Sequence, residues 1–205
     1  MTVDKKSKNY STKNQELQHQ IKKQVMKKIK YLSLIRGINM VGHNSMKMAE
    51  LRELYASLKF EEVTTYIQSG NVVFVSTMTD TDKISTLIKA EIQKVFDYDV
   101  WVLTMAKEAF IKVFEQNPFV DENTENIKPF HVTLLSGTPD EDGLKLIQEK
   151  DFGEDVFELG NDCVYLNCPN GYGRTKLTNN FFEKKLKVRG TTRNWRTMTK
   201  LFGLL

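Results

Sequence analysis

The sequence predicts an α+β fold built from two ferredoxin-like halves in tandem, with additional helices at the C-terminus. Residues 31–116 show the order strand, helix, hairpin, helix, strand, which is the split βαβ order of ferredoxin-like units. The opening strand and hairpin signals recur in the second half of the chain, which suggests an internal repeat. The 205 residues are 40% apolar and 27% charged, so the chain has enough apolar material for an ordinary globular core.

The elements of the first half follow from apolar periodicity. Residues 31–37 (YLSLIRG) predict a buried strand that ends at a glycine, and the tripeptide Ser69-Gly70-Asn71 predicts the turn of a hairpin. The remaining elements are a helix over 48–58, hairpin strands over 63–68 and 72–75, a helix over 82–96, a strand over 100–104 and a helix over 107–116.

The second half begins after an acidic, asparagine-rich linker. Residues 131–137 (HVTLLSG) resemble residues 31–37 position by position, and residues 159–161 (LGN) match the first hairpin turn. Because Gly-Asn is common in hairpins of many folds, a duplication and a chance similarity both remain open. After Cys168 we expect the second copy to diverge into a helix ending near Leu186 and a last helix from Thr192 onward.

These patterns divide the chain into three parts. Residues 1–25 are expected to be a peripheral polar extension, residues 26–122 the first ferredoxin-like half, and residues 127–205 an α+β half that ends in a basic helical segment. Net charge follows the same division, with +7 for residues 1–30, −11 for residues 31–170 and +8 for residues 171–205. The basic segment must therefore either pair with the acidic middle of the chain or meet an anionic partner.

Several classes of protein are disfavoured by what the sequence lacks. No signal peptide or membrane-length apolar run is present, so we expect a cytoplasmic protein without a membrane partner. Cys163 and Cys168 would stand roughly 16 Å apart in an extended strand, which is too far for a disulfide, and we expect buried thiols. Three scattered histidines and these two cysteines show no ligand spacing, so the sequence predicts neither a metal site nor a cofactor.

Four motifs appear in order along the chain: RGIN at 36–39, YIQSGNV at 66–72, RTKL at 174–177 and TRNWRT at 192–197. Together they resemble the bacterial family named domain of unknown function 1697 (DUF1697), over nearly everything from Lys30 to the C-terminus. The resemblance implies a cytoplasmic α+β protein with ferredoxin-like halves and implies no activity. Residues 40–42 (MVG) depart from the family pattern, in which a second glycine is usual.

One candidate site lies where the first strand and the third strand of a ferredoxin-like unit are neighbours. This arrangement would bring together polar groups that are distant in sequence, and they would form a small hydrogen-bonding pocket. Its members are Arg36, Asn39, Gln68, Ser69 and Asn71. The alternative is that the two asparagines cap turns while Arg36 pairs with the acidic scaffold. His43 in the same loop is the weak candidate for a catalytic acid or base.

The basic segment supplies the other candidate ligand-binding residues. Arg174 and Lys176 follow two glycines and precede a predicted helix, an arrangement that favours an anion but lacks the Walker pattern of a phosphate loop. With Thr191 or Thr192 as its N-cap, the last helix would carry a cationic face opposite Trp195. The candidates in this helix are Arg193, Asn194 and Arg196.

Three functional hypotheses are compatible with these residues. The first is a module that binds an anionic partner, RNA or a phosphorylated metabolite, through the basic segment. The second is an enzyme acting on an anionic small molecule, clamped by these cations, with His43 transferring the proton. The third is a structural or regulatory domain whose basic helix docks on its own acidic half.

Overall fold

The computed structural model describes residues 27–40 and 43–205, and the predicted extension over residues 1–25 lies outside this range. The first half contains β1 (Ile29–Arg36), α1 (Met48–Ser57), β2 (Glu61–Tyr66), β3 (Asn71–Ser76), α2 (Thr81–Phe96), β4 (Trp101–Ala106) and α3 (Lys107–Glu115). The second half contains β5 (Phe130–Leu135), α4 (Glu141–Gln148), β6 (Val156–Leu159), β7 (Cys163–Asn167), a 3₁₀ turn (Tyr172–Arg174), α5 (Asn179–Leu186), β8 (Gly190–Asn194) and α6 (Trp195–Phe202).

Each half forms one four-stranded antiparallel sheet. The strand orders are β2-β3-β1-β4 and β6-β7-β5-β8, so both sheets have the same topology. In both halves a final helix follows the fourth strand without an intervening loop. The predicted α+β fold with two tandem halves is confirmed, and the shared element order continues to the end of the chain instead of diverging after Cys168.

The C-terminal segment differs from the prediction. Residues 190–194 form strand β8, which pairs with β5, and the last helix begins at Trp195, not at Thr192. The helical periodicity of residues 195–202 predicts nothing about the two β-branched threonines before it, which favour a strand when a neighbouring strand is available. Arg193 therefore lies in a sheet, and the prediction that it belongs to the last helix is wrong.

The segment before α5 also differs. Residues 172–174 form a single 3₁₀ turn, and α5 begins only at Asn179, with the Thr178 side chain accepting a hydrogen bond from the backbone N–H of Phe181. Arg174 and Lys176 consequently stand in a connecting loop. They do precede a helix, as predicted, but the helix begins five residues after Arg174 and three after Lys176.

The two sheets pack together through their inner faces. Along β1 the side chains alternate: Tyr31 and Ile35 face α1 and α2, whereas Leu32 and Leu34 face the second half. The same alternation in the second sheet sends some side chains toward α4 and α5 and others toward the first half. We call the apolar cluster between the sheets the middle core. It also contains side chains of α3 and α6.

Both faces of each sheet are consequently covered. Helices cover the outer faces, and the middle core covers the inner faces. Cys163 and Cys168 are buried free thiols, as predicted, and burial raises the pKa of Cys163 to about 11. Within the described residues, no helix has the length and apolar character needed to cross a membrane.

Candidate functional site

Arg36 extends from the end of β1 into the second half. Its Nη1 donates to Glu183 Oε1 at 2.6 Å and to the Gly190 carbonyl oxygen at 3.0 Å, and its Nη2 donates to Asn180 Oδ1 at 3.0 Å. Arg36 thus pairs with a carboxylate, but that carboxylate belongs to the only acid of the basic segment and not to the acidic middle of the chain. The guanidinium cross-links the two halves.

Arg193 forms a second cross-link, which extends from the second half into the first half. Its Nε donates to Asn71 Oδ1 at 2.6 Å and its Nη2 to the Ser69 carbonyl oxygen at 3.1 Å, while Nη1 donates to Thr191 Oγ1 and to the Thr192 carbonyl oxygen. All four acceptors are neutral. Burial lowers the pKa of Arg193 to about 10, which leaves the guanidinium charged at neutral pH. Arg193 therefore docks on neutral groups of the first half and on no carboxylate, and the third hypothesis stays a prediction.

The loop after β1 and the hairpin turn after β2 are joined, as the ferredoxin-like order predicts. Asn39 Nδ2 donates to the carbonyl oxygens of Gln68 and Met46, and Asn39 Oδ1 accepts from the Met46 N–H at 2.7 Å. Asn71 Nδ2 donates to Ser69 Oγ at 2.9 Å. The side-chain amides of both asparagines are therefore engaged in holding turns, which is the alternative foreseen for them.

The turn itself has an unusual backbone. Ile67 has a φ of 47°, in the left-handed region that β-branched residues rarely adopt, although half of its surface is exposed. Gly70 has a φ of 73°, and a Cβ added there would stand 2.5 Å from the Ile35 carbonyl oxygen. The close approach of β1 to this turn requires glycine.

Six cations of the basic segment are exposed and form no ion pair with the described residues, and three of them were predicted as ligand-binding residues. Arg174, Lys176 and Arg196 form no ion pair with any of residues 27–40 and 43–205. By contrast, Lys187 reaches Asp140 Oδ1 at 2.9 Å. We call Arg174, Lys176 and Arg196 the exposed cations.

Asn194 has a local structural role. Its side chain accepts a hydrogen bond from the backbone N–H of Thr197 at 2.8 Å and so caps the N-terminus of α6. The sequence analysis includes it among the ligand-binding candidates of the last helix. The structure places it at a helix N-cap, where asparagine is favoured.

His43 is exposed beside the backbone bridge that its own N–H makes to the Met40 carbonyl oxygen at 2.8 Å. Its imidazole makes no hydrogen bond with the described residues. Within the same residues no group of three His, Cys, Asp or Glu side chains is arranged to hold a metal ion. The enzyme hypothesis stays a prediction.

A polar network behind β8 was not predicted. Thr192 Oγ1 is bonded to the Thr133 hydroxyl at 2.7 Å, the Tyr172 hydroxyl at 3.0 Å and Asn179 Oδ1 at 2.6 Å, and His131 stacks on Tyr172. The network depends on the pairing of β5 with β8. The sequence predicts a helix from Thr192 onward, and a helix there would not place Thr192 beside Thr133.

A groove also lies where the two halves meet, beside the edge strand β4. It consists of a cleft of about 250 Å³ that includes Arg36 and Arg189, and a cleft of about 280 Å³ that includes Thr86 and Ser136. Trp101 lines both clefts. Arg189 and Trp101 were not among the sequence candidates because their proximity depends on how the halves pack.

These features define an α+β protein of two tandem ferredoxin-like halves cross-linked by two arginines. Residues 26–165 match the model of the family described as "Protein of unknown function (DUF1697)", and the chain belongs to this family, as its motifs predicted. The matched stretch ends before the basic segment, so the motifs at 174–177 and 192–197 lie outside it.

Among solved structures, the chain is similar to the conserved bacterial protein SP0830 from Streptococcus pneumoniae. The TM-score is 0.69 with 21% sequence identity, and the alignment covers 86% of this chain and 98% of that chain. At this identity the likeness shows the fold alone. A comparison with curated proteins finds no match.

Proposed function

We propose that this chain is a cytoplasmic protein that binds a phosphate-bearing partner, RNA or a phosphorylated metabolite, through its exposed cations. The observation that carries the proposal is that Arg174, Lys176 and Arg196 are exposed and have no carboxylate partner among the described residues. Uncompensated guanidinium and ammonium groups attract phosphate through charge-assisted hydrogen bonds, and arginine binds it in a bidentate manner.

Some carboxylates of the acidic middle of the chain have local partners, and none of the described ones pairs with the exposed cations. Asp80 pairs with Lys83, Glu91 with Lys94, and Asp99 with Lys89, all within the first half. All three pairs join residues of the 31–170 stretch, so these carboxylates are engaged there and not with the exposed cations.

The fold restricts how RNA would be bound. RNA-recognition modules of this topology stack bases on the open face of a four-stranded sheet. Here the corresponding faces of both sheets are buried in the middle core, with Leu34 and Leu134 as examples. Binding through the exposed cations would therefore be electrostatic and largely independent of sequence.

Fluorescence anisotropy with a labelled single-stranded RNA at several salt concentrations tests the proposal. Three phosphate contacts predict a slope of log K against log salt of about −2. The double variant Arg174→Gln/Lys176→Gln should reduce this slope by about 1.4, and Arg196→Gln by about 0.7. Lys112→Gln, which removes an exposed cation on α3, is the matched control and should leave the slope unchanged.

Calorimetric titration with inorganic phosphate distinguishes the two kinds of partner. A metabolite-binding protein would bind phosphate in a manner that the double variant abolishes, and would lack the RNA salt slope. Absence of affinity for both probes at low salt, or an RNA affinity indifferent to salt, would refute the proposal.

A further inference from the structure

The groove between the halves has an aromatic wall. Along β4, Leu103 and Met105 face the middle core. Because side chains alternate along a strand, Trp101, two residues before Leu103, lies on the same face of the sheet, at the edge of that core. The indole is half-buried and stacks on no other aromatic ring of the described residues. An indole that lines a cleft and has no aromatic neighbour of its own can serve as a platform on which a nucleobase stacks.

The cleft that includes Arg36 and Arg189 has one charge without an ion-pair partner. Its two carboxylates have partners, since Glu183 pairs with Arg36 at 2.6 Å and Asp99 with Lys89 at 2.8 Å. Arg189 forms no ion pair with the described residues and is exposed at the same cleft. The cation left over for an anionic ligand is therefore Arg189.

The backbone of Arg189 is anchored to Ser136, the residue that follows β5. The Arg189 N–H donates to Ser136 Oγ at 3.0 Å, and its carbonyl oxygen accepts from the Ser136 N–H at 2.8 Å. Ser136 itself lines the neighbouring cleft beside Trp101. The two hydrogen bonds hold the cation at one end of the groove.

The other end of the groove has the opposite character. Asp82 and Thr86 line the second cleft, both are exposed, and Asp82 forms no ion pair with the described residues. Lys89 also lines this cleft, but it is paired with Asp99, so the charge without an ion-pair partner at this end is the Asp82 carboxylate, which disfavours a phosphate. A carboxylate and a hydroxyl there suit ribose hydroxyls and exocyclic amines. The groove therefore has a cationic end, an aromatic middle and a hydroxyl-accepting end.

From this polarity we infer that the groove binds a nucleoside monophosphate, with the phosphate on Arg189 and the base against Trp101. The ribose and base edges lie toward Asp82 and Thr86. Each cleft is slightly smaller than the roughly 300 Å³ at which ligand pockets begin, so a ligand of this size occupies both. The site goes beyond the proposed function and uses none of the exposed cations, so either idea can fail without the other.

Intrinsic fluorescence offers a direct test because the chain has two tryptophans, and Trp195 is buried at 4% exposure. Titration of the full-length protein with adenosine 5′-monophosphate should quench the emission saturably, whereas Trp101→Phe should leave the remaining emission unchanged. Calorimetry on both proteins separates loss of the reporter from loss of binding.

The phosphate contact is tested with variants and with fragments of the ligand. Arg189→Gln should lower the affinity for adenosine 5′-monophosphate by about tenfold or more and leave the affinity for adenosine unchanged. Lys112→Gln should change neither affinity. Adenosine and ribose 5-phosphate should each bind more weakly than the nucleotide. The double variant Arg174→Gln/Lys176→Gln should bind the nucleotide as the wild type does.

Three results would overturn the inference. These are no saturable quenching or heat up to about 1 mM nucleotide, equal affinities for Arg189→Gln and Lys112→Gln, or loss of nucleotide binding in the double variant. The last result would place the nucleotide on the exposed cations and so leave the proposed function standing.

Discussion

Replacing Arg193 with methionine removes one of the two cross-links between the halves. Asn71 is completely buried, and Arg193 is the only described donor to its Oδ1. Methionine fills much of the space of the arginine stem but cannot donate, so a buried amide oxygen would be left unpaired at a cost of about 1–3 kcal/mol. The bond to the Ser69 carbonyl oxygen, also lost, contributes about 1 kcal/mol.

Part of this cost is offset because the guanidinium itself is desolvated, as its lowered pKa shows. We therefore expect Arg193→Met to lower the free energy of unfolding by about 2–3 kcal/mol. Urea denaturation followed by circular dichroism measures the change. Arg196→Met is the matched control, since Arg196 is exposed and unpaired within the described residues, and it should change stability by less than about 0.5 kcal/mol.

A double-mutant cycle isolates the contact between Arg193 and Asn71. Asn71→Val removes the orphaned oxygen, so the double variant should be less destabilised than the sum of the two single variants, by about 1–2 kcal/mol. Strict additivity, or an Arg193→Met protein as stable as the wild type, would refute the assignment of Arg193 as a cross-link.

Three further predictions concern the turn and the second sheet. Gly70→Ala should destabilise the protein by about 1–3 kcal/mol more than Gly37→Ala, because both glycines have positive φ but only Gly70 brings a new Cβ against Ile35; thermal or urea unfolding compares them. Ile67→Asn should raise the free energy of unfolding by about 1 kcal/mol, since asparagine tolerates the left-handed backbone of this exposed position, and an unchanged or lower stability would contradict the strain. Burial lowers the pKa of His131, so the unfolded state binds the proton more tightly and the stability of the protein should fall as pH drops through 6.5. Between about pH 7 and pH 5 the urea midpoint of His131→Gln should therefore fall less than the midpoint of the wild type.

Much of the first half could be predicted from local patterns. The alternation in residues 31–37, the helical spacing in residues 82–96 and the Gly-Asn turn each specify one element without reference to the rest of the chain. The ferredoxin-like order then implied that the loop after β1 would meet the turn at Ser69, and Asn39 does bond to that turn. This part of the candidate site could therefore be predicted from the topology.

The last strand could not be predicted in the same way. Residues 190–194 are only five long and run directly into a helix with strong apolar periodicity, so a local pattern favours one continuous helix. The pairing of Thr192 with Thr133 on β5 decides the outcome, and that partner lies 59 residues earlier in the chain. The prediction for Arg193 was wrong for this reason alone.

The sequence by itself determined the fold class, the tandem halves, the two buried thiols and the concentration of positive charge after residue 170, because composition and periodicity act locally. Only the tertiary structure decided which cations are engaged. Arg36 reaches Glu183 and Arg193 reaches Asn71 across the junction of the halves, whereas Arg174, Lys176 and Arg196 have no partner within the described residues. These partners depend on how two sheets pack through a shared apolar core, and no stretch of sequence encodes that packing alone.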